Sequence, residues 1–338
     1  MFSEIKNKID SELPRYMDNL EKAYSLNKIS PLLFKHIREF CLRPGKRVRP
    51  ALFVAGYLGF AGKAVSGLYA CAISIELLHD FLLVHDDIID RSDTRRGKPS
   101  MHALFNQYLS NNKNIKITGQ DMAIVAGDVM YALAINAFLS IKENPARKEA
   151  ALKKLLESAL YTGSGEFIEL LAGTKKIEEI TKSEIYKIYD LKTANYTFSA
   201  PLTIGATLAG ANLRQNKILS DYGLYIGRAF QIKDDVIGIY SDEAKIGKSN
   251  LTDLQESKKT LLIWYAYHKS APKGRHLIVK ILSKNNVNFK DLEEIRGVIS
   301  DCGALERIKK EIIFLMKKAD CLLESSAMLP RYKKSLRL

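Results

Sequence analysis

Apolar residues recur at intervals of three and four from one end of this chain to the other, in segments of helix length. Alternating runs closed by Asn-Gly turns are almost absent. That periodicity confines the chain to helical architectures. It is clearest in "LYACAISIELLHDFLLVHDDIID" (68–90), "DMAIVAGDVMYALAINAFLSI" (121–141), the stretch from Ala150 to Tyr161, and "DYGLYIGRAFQIKDDVIGIY" (221–240). The connections carry Gly, Pro, Asn or clustered charge, as in "RSDTRRGKPS", "SNNKNIKITG" and "SDEAKIGKSNLTD". No repeat of fixed period and no low-complexity linker divides the 338 residues, so the expectation is all-α, a single domain over 1–338. Gly223 and Gly227, four apart on one helix face, predict a notch for close helix packing.

Composition narrows the function classes. An apolar content of 46% suffices for a substantial core and excludes a disordered tail. The balance of 52 basic against 38 acidic side chains favours anionic partners: nucleic acid, an acidic membrane surface or phosphorylated small molecules. Cys41, Cys71, Cys302 and Cys321 are scattered without metal-ligand spacing, and "MFSEIKNKID" has no signal-peptide core, so a reducing, cytoplasmic setting is expected. Thr193 to Leu213 is uncharged and long, but its Thr, Ser, Asn, Gly and Ala content and Pro201 mark a buried, closely packed helix broken at the proline. No transmembrane segment is expected there.

Chemistry concentrates in two acidic clusters. In "LLVHDDIIDRSDTRRGK" (82–98) helical spacing projects His79, Asp86 and Asp90 in nearly the same direction, with Asp87 about 100° away. Like charges at this spacing cost an isolated helix roughly 0.2–0.5 kcal/mol, more when shielded from water. Something cationic should offset them. Hard oxygen ligands with no Cys or His partner suit Mg²⁺, and the adjacent Arg95 and Arg96 offer forked donors matched to phosphate. Much later, "FQIKDDVIG" supplies Asp234 and Asp235 with Gln231 one turn before them. Two acidic helices across a cavity would make a polynuclear Mg²⁺ site able to clamp a diphosphate.

On these residues the chain resembles the trans-isoprenyl diphosphate synthases, the polyprenyl synthetase family. The resemblance runs from about residue 43 to about 262 through five ordered motifs. These are "PGKRVRP", "LLHDFLLVHDDIIDRSDTRRGKPSMH", "GDVMYALA", "LKTA" and "FQIKDDVIG", the second and last being the specific ones. It implies a large helical bundle around a central active-site cavity and a Mg²⁺-dependent, head-to-tail condensation of isopentenyl diphosphate with an allylic diphosphate (dimethylallyl, geranyl or farnesyl). Asp86 and Asp90 would bind Mg²⁺ on the allylic diphosphate, with Asp87 supporting them from behind. Asp234 would hold a third ion, assisted by Asp235 and Gln231. Arg95, Lys192, Lys248 and Lys258 would contact the allylic diphosphate. Lys46, Arg49, His79 and Arg96 would bind the diphosphate of isopentenyl diphosphate, and Thr193 would orient the reacting carbon. The second motif often ends in a third Asp, where this chain has Gly238; His85, Asp80 and Asp93 read as structural. A homodimer is the expected assembly, with no nucleic-acid partner.

No nucleophilic side chain is needed for such a reaction. The hard step is release of pyrophosphate, with charge growing on the leaving group, and an apolar tunnel must keep water from the allylic cation. Leu82 and Leu83 lie about one turn below Asp86, with Phe81 on the flank. An aromatic residue at the position of Phe81 resembles the pattern of enzymes that stop near C20, with C15 or C25 and longer products as alternatives. A His-Asp metal phosphohydrolase, suggested by "HD" at 79–80 and 85–86, leaves the second Asp pair and the double arginine unexplained. A terpene cyclase should lack the basic site for a second diphosphate. A non-catalytic partner subunit, or a basic protein that binds nucleic acid or membranes, predicts dispensable acids.

Overall fold

A computed structural model describes residues 1–112, 114–240 and 250–337. Among them the only strands form one two-stranded hairpin, and the rest of the regular structure is helical, as the periodicity requires. The chain groups into two compact units. One comprises Met1–Leu155, Ile204–Ala211 and Met328–Ser335; the other comprises Leu156–Thr203, Asn212–Ala327 and the last residues from Leu336 on.

The first unit begins with α1 (Phe2–Tyr24), which buries Ile5, Ile9, Leu13, Met17 and Leu20 at three-to-four spacing. Then come α2 (Leu26–Ile29), α3 (Pro31–Cys41) with its proline in the first turn, α4 (Val48–Ala61) and α5 (Leu68–Ile89). Residues Cys71 to Leu78 of α5 are all buried, so this stretch is enclosed on every side and forms the core of its unit. It packs against α1, α4, α6 (Met101–Leu109) and α7 (Gly119–Phe138). A capping box of Thr118 and Asp121 starts α7.

Between α5 and α6 lies the hairpin, β1 (Thr94–Arg95) and β2 (Lys98–Pro99), antiparallel with Arg95 opposite Lys98. Its two-residue turn, Arg96-Gly97, has φ of 56° and 73°. Positive φ at both central residues is the signature of the type I′ turn that suits a tight hairpin. "RSDTRRGKPS" is therefore not a plain loop.

In the second unit α8 (Pro145–Thr174, whose first residues belong to the first unit) is followed by α9 (Lys182–Ile188), capped by Thr181 and Glu184. The chain then continues without a break into a π-helix, Tyr189–Ser199, and α10 (Ala200–Leu208, whose residues from Ile204 on belong to the first unit). Pro201 does not break this segment. It sits where the i→i+5 register gives way to i→i+4, in the first turn of α10, where a missing N–H is tolerated. Burial of the stretch is as expected, with residues 196–206 all buried. The long α11 (Leu213–Tyr240) packs on the π-helix and on Ala304–Ser325. The glycine notch is real: a Cβ on Gly223 would meet Ser199 Cα at 2.4 Å, and one on Gly227 would meet Ala194 Cα at 2.3 Å. The helices Leu261–Lys269, Pro272–Leu282 and Phe289–Asp301 complete the core, with Leu261, Ile278, Leu292 and Ile295 fully buried.

Among the described residues two helices are long and apolar enough to cross a membrane, α5 and α7, and the stretch from Thr193 is not one of them. Both pack within the first unit, and 61% of the most apolar window of α5 is buried there.

Candidate active site

Three carboxylates crowd the end of α5. Asp86 and Asp87 lie in its last turn and Asp90 is its C-cap. A helix C-terminus is the negative pole of the backbone dipole, so acids there are disfavoured twice, by the helix and by one another. The hairpin supplies the first offset: Arg95 Nε donates to Asp87 Oδ1 at 2.7 Å, Nη2 bonds the same oxygen, and Nη2 lies 3.4 Å from Asp86 Oδ2. Asp87 is fully buried. Burial pushes its carboxyl up to about 6, with Arg95 opposing and the Asp86 and Asp90 charges adding to the rise.

Asp86 and Asp90 remain partly exposed. The donor set is all oxygen, two accessible carboxylates one turn apart with a third buried behind them. This suits Mg²⁺, which takes one or two carboxylates and leaves its other positions to water and phosphate. Among the described residues no three His, Cys, Asp or Glu converge as a closed metal cage, so the side chains supply only part of a coordination shell.

Beside this end of α5 the basic residues divide by direction. Lys46 is exposed, Arg47 is buried, and Arg49 Nη1 donates to His79 Nε2 at 3.1 Å. Burial, and after it the charges of Arg49, Arg96, Arg95 and Arg47, hold the His79 pKa well below its usual value, so the ring is neutral and accepts from Arg49. Arg96 leaves the I′ turn in a different direction from Arg95: its Nη2 lies 3.3 Å from Asp80 Oδ1 and 3.5 Å from Glu76 Oε1. Adjacent arginines thus serve separate acids. Phe81, half-buried, packs edge-on to His85 (ring centroids 4.8 Å apart) and against Tyr131 of α7 (5.2 Å); Leu82 is also half-buried.

The second unit carries its own constellation on the π-helix and α11. Lys192 Nζ lies 2.5 Å from both Glu166 and Glu169 of α8. Thr193 Oγ1 donates to Gln231 Oε1 (2.6 Å), and Gln231 Nε2 donates to Asp235 Oδ1 (2.8 Å). Tyr189 Oη donates to the other Asp235 oxygen and accepts from the Leu261 N–H. Asp235 is buried, and burial with the Asp253 charge pushes it up to about 7 against these hydrogen bonds. Asp234, one residue earlier, is exposed. A Cβ at Gly238 would lie 2.9 Å from Asp253 Oδ2, so that carboxylate comes close to the position where the motif often has its third acid. Lys258 pairs with Glu256 at 2.7 Å. Lys248 lies outside the described residues.

Sequence reasoning missed Glu166, Glu169, Tyr189 and Tyr131, which lie from about twenty to seventy residues from the groups they touch and carry no local signal. Glu76 and Asp80 had one, acids inside an apolar helix run.

A polyprenyl synthetase family model matches residues 30–299. The short chain isoprenyl diphosphate synthase of Methanocaldococcus jannaschii is 32% identical over 86% of this chain and 80% of its own length. The geranylfarnesyl diphosphate synthase of Aeropyrum pernix is 33% identical over 81% of each. Among solved structures, geranylgeranyl pyrophosphate synthase from Corynebacterium glutamicum, complexed with isoprenyl diphosphate and magnesium, matches with a TM-score of 0.90 at 26% identity. That match covers 100% of this chain and 97% of the other.

Proposed function

The chain belongs to the polyprenyl synthetase family and is a prenyltransferase, and we propose that it condenses isopentenyl diphosphate with an allylic diphosphate to give the C20 product, geranylgeranyl diphosphate. In this reaction the allylic C–O bond breaks, and the isopentenyl double bond attacks the resulting cation. A proton is then lost, leaving pyrophosphate and a chain five carbons longer.

Magnesium, when bound, would neutralise charge growing on the departing pyrophosphate. Asp86 and Asp90 are the carboxylates that would hold it at the first motif, and Asp234 would hold a third ion. Asp87, locked by Arg95, keeps the end of α5 in place and holds Arg95 ready to donate to a diphosphate. Lys192, Lys258 and Lys248 would add charge on the allylic diphosphate, Lys192 being steadied by its two glutamates. Lys46, Arg49, His79 and Arg96 would take the diphosphate of the second substrate. Thr193 and Gln231 form a hydrogen-bonded pair that fixes the Thr193 hydroxyl for orienting the reacting carbon. The same reading takes all 338 residues as one polyprenyl synthetase domain acting in the cytoplasm as a homodimer.

The observation that supports C20 over shorter or longer products is Phe81, five residues before Asp86, its ring held between His85 and Tyr131. A ring packed on both sides makes a firm floor for a growing chain. Radiolabelled isopentenyl diphosphate with primers of several lengths, products resolved by chromatography, gives the product of the native enzyme. Phe81→Ala should then shift the distribution to longer chains with little change in the first condensation. An unchanged distribution from a stably folded variant returns Phe81 to the core.

A further inference from the structure

Asp80 is fully buried inside α5, and neither of its carboxylate oxygens has a hydrogen-bond partner. Glu76, one turn earlier on the same face, is 3% exposed. A buried acid without hydrogen bonds costs stability, and a neutral residue of the same shape would pack more favourably. Folding does not account for it.

Two arginines approach this acidic pair from different loops, and both have left-handed backbones: Arg47 with φ 50° and Arg96 with φ 56°. Arg47 takes Glu76, with Nη1 2.5 Å from Oε1, and is itself held by Asp10 through Nε at 2.9 Å. Arg96 reaches the same Glu76 oxygen only at 3.5 Å and lies closer, 3.3 Å, to Asp80 Oδ1. Glu76 is thus occupied by Arg47, which leaves Asp80 as the nearer acid to Arg96. Arg47, Arg49, Arg95 and Arg96 all act on His79, so positive charge concentrates at this end of the unit, and an acid beside Arg96 offsets part of it.

We propose that Asp80 is a positioning residue that anchors the inner edge of the Arg96 guanidinium, so that its outer edge is presented to the diphosphate of isopentenyl diphosphate. This rests on the reading of Arg96 given above. Burial first, and then the Glu76 carboxylate, push the Asp80 pKa up and favour the neutral acid, whereas Arg96 and Arg47 oppose that rise and favour the carboxylate; the anchor rests on the 3.3 Å approach of Arg96 Nη2 to Asp80 Oδ1. Besides the arginines, the buried Cys41 thiol beside it also favours the ionised form.

The test uses Asp80→Asn, with Asp80→Ser as the second variant should the amide not be accommodated. Binding of isopentenyl diphosphate to the metal-free protein is measured by calorimetry, beside KM for each substrate and the melting temperature. Affinity for isopentenyl diphosphate should fall about tenfold, the scale of one hydrogen bond to a charged group. KM for the allylic partner and kcat should stay within about twofold, and the melting temperature should hold or rise. In an Arg96→Ala background, Asp80→Asn should weaken binding no further. Unchanged affinity, equal effects on both substrates, or a full additional loss in the Arg96→Ala background would overturn the anchor while leaving the condensation reading intact. Failure of the native protein to bind isopentenyl diphosphate would instead bring down the reading of Arg96, and this proposal with it.

Discussion

Asp87 and Asp235 are each the second acid of an Asp-Asp pair, and each is turned inward while its neighbour stays accessible. The 100° step of a helix separates them: one carboxylate is presented outward, and the next is buried among donors that fix the helix end. Both inward acids have raised pKa values, Asp87 about 6 and Asp235 about 7, burial being the main cause. An acid whose folded value lies above its unfolded value of 3.8 contributes stability that is complete below that value and is lost as pH climbs through the folded one. In metal-free protein Asp235→Asn should therefore gain on the native chain as pH rises from about 4 to about 7, the window between the unfolded and folded values. Thermal unfolding in the presence of a chelator measures this, and a difference between the two proteins that does not change with pH would show that folding leaves the Asp235 pKa unshifted.

Two local irregularities do most to position side chains at the level of elements. The I′ turn at Arg96-Gly97 separates two adjacent arginines, sending Arg95 to Asp87 and Arg96 to Asp80. The π-helix carries Lys192 and Thr193, and its widened register sets it against α11, where Gly223 and Gly227 admit its backbone. Gly227→Val should therefore cost roughly 1–3 kcal/mol or more, since the obstructing atom is backbone and cannot give way. Gly297, in Phe289–Asp301, has open space around a would-be Cβ, and Gly297→Ala should stabilise by about 0.5–1 kcal/mol through helix propensity alone. Denaturant titration of the two variants checks both signs.

At the scale of the molecule the most telling surface is α8 within the second unit. Leu156, Leu160, Phe167 and Leu171 lie four, seven and four apart on an exposed face, with Leu160 65% and Phe167 64% exposed. Such a seam is larger than scattered surface apolar residues require, and it supports a second copy of the chain as its cover. Sedimentation of the native protein at micromolar concentration should give a dimer. Phe167→Lys should shift it to monomer while leaving the helical content intact, and a native protein that sediments as a monomer would remove the homodimer.

Periodicity alone determined that this chain is helical, because burying one stripe of a helix leaves a three-to-four pattern whatever the helix packs against. Spacing alone likewise put Asp86 and Asp90 on one face, since both lie within one turn. The glycine notch was legible for the same reason, being local to one helix. What only tertiary structure decided is which charge meets which. Arg95 and Arg96 are chemically identical neighbours, and a two-residue turn of positive φ assigns them to different acids. Lys192 acquired Glu166 and Glu169 because α8 passes beside the π-helix, and Asp235 acquired Tyr189 because that helix packs on α11. Asp80, which looked inert in the sequence, lies 3.3 Å from an arginine sixteen residues away. Pairings of this kind depend on where loops return, and no local pattern of residues encodes that.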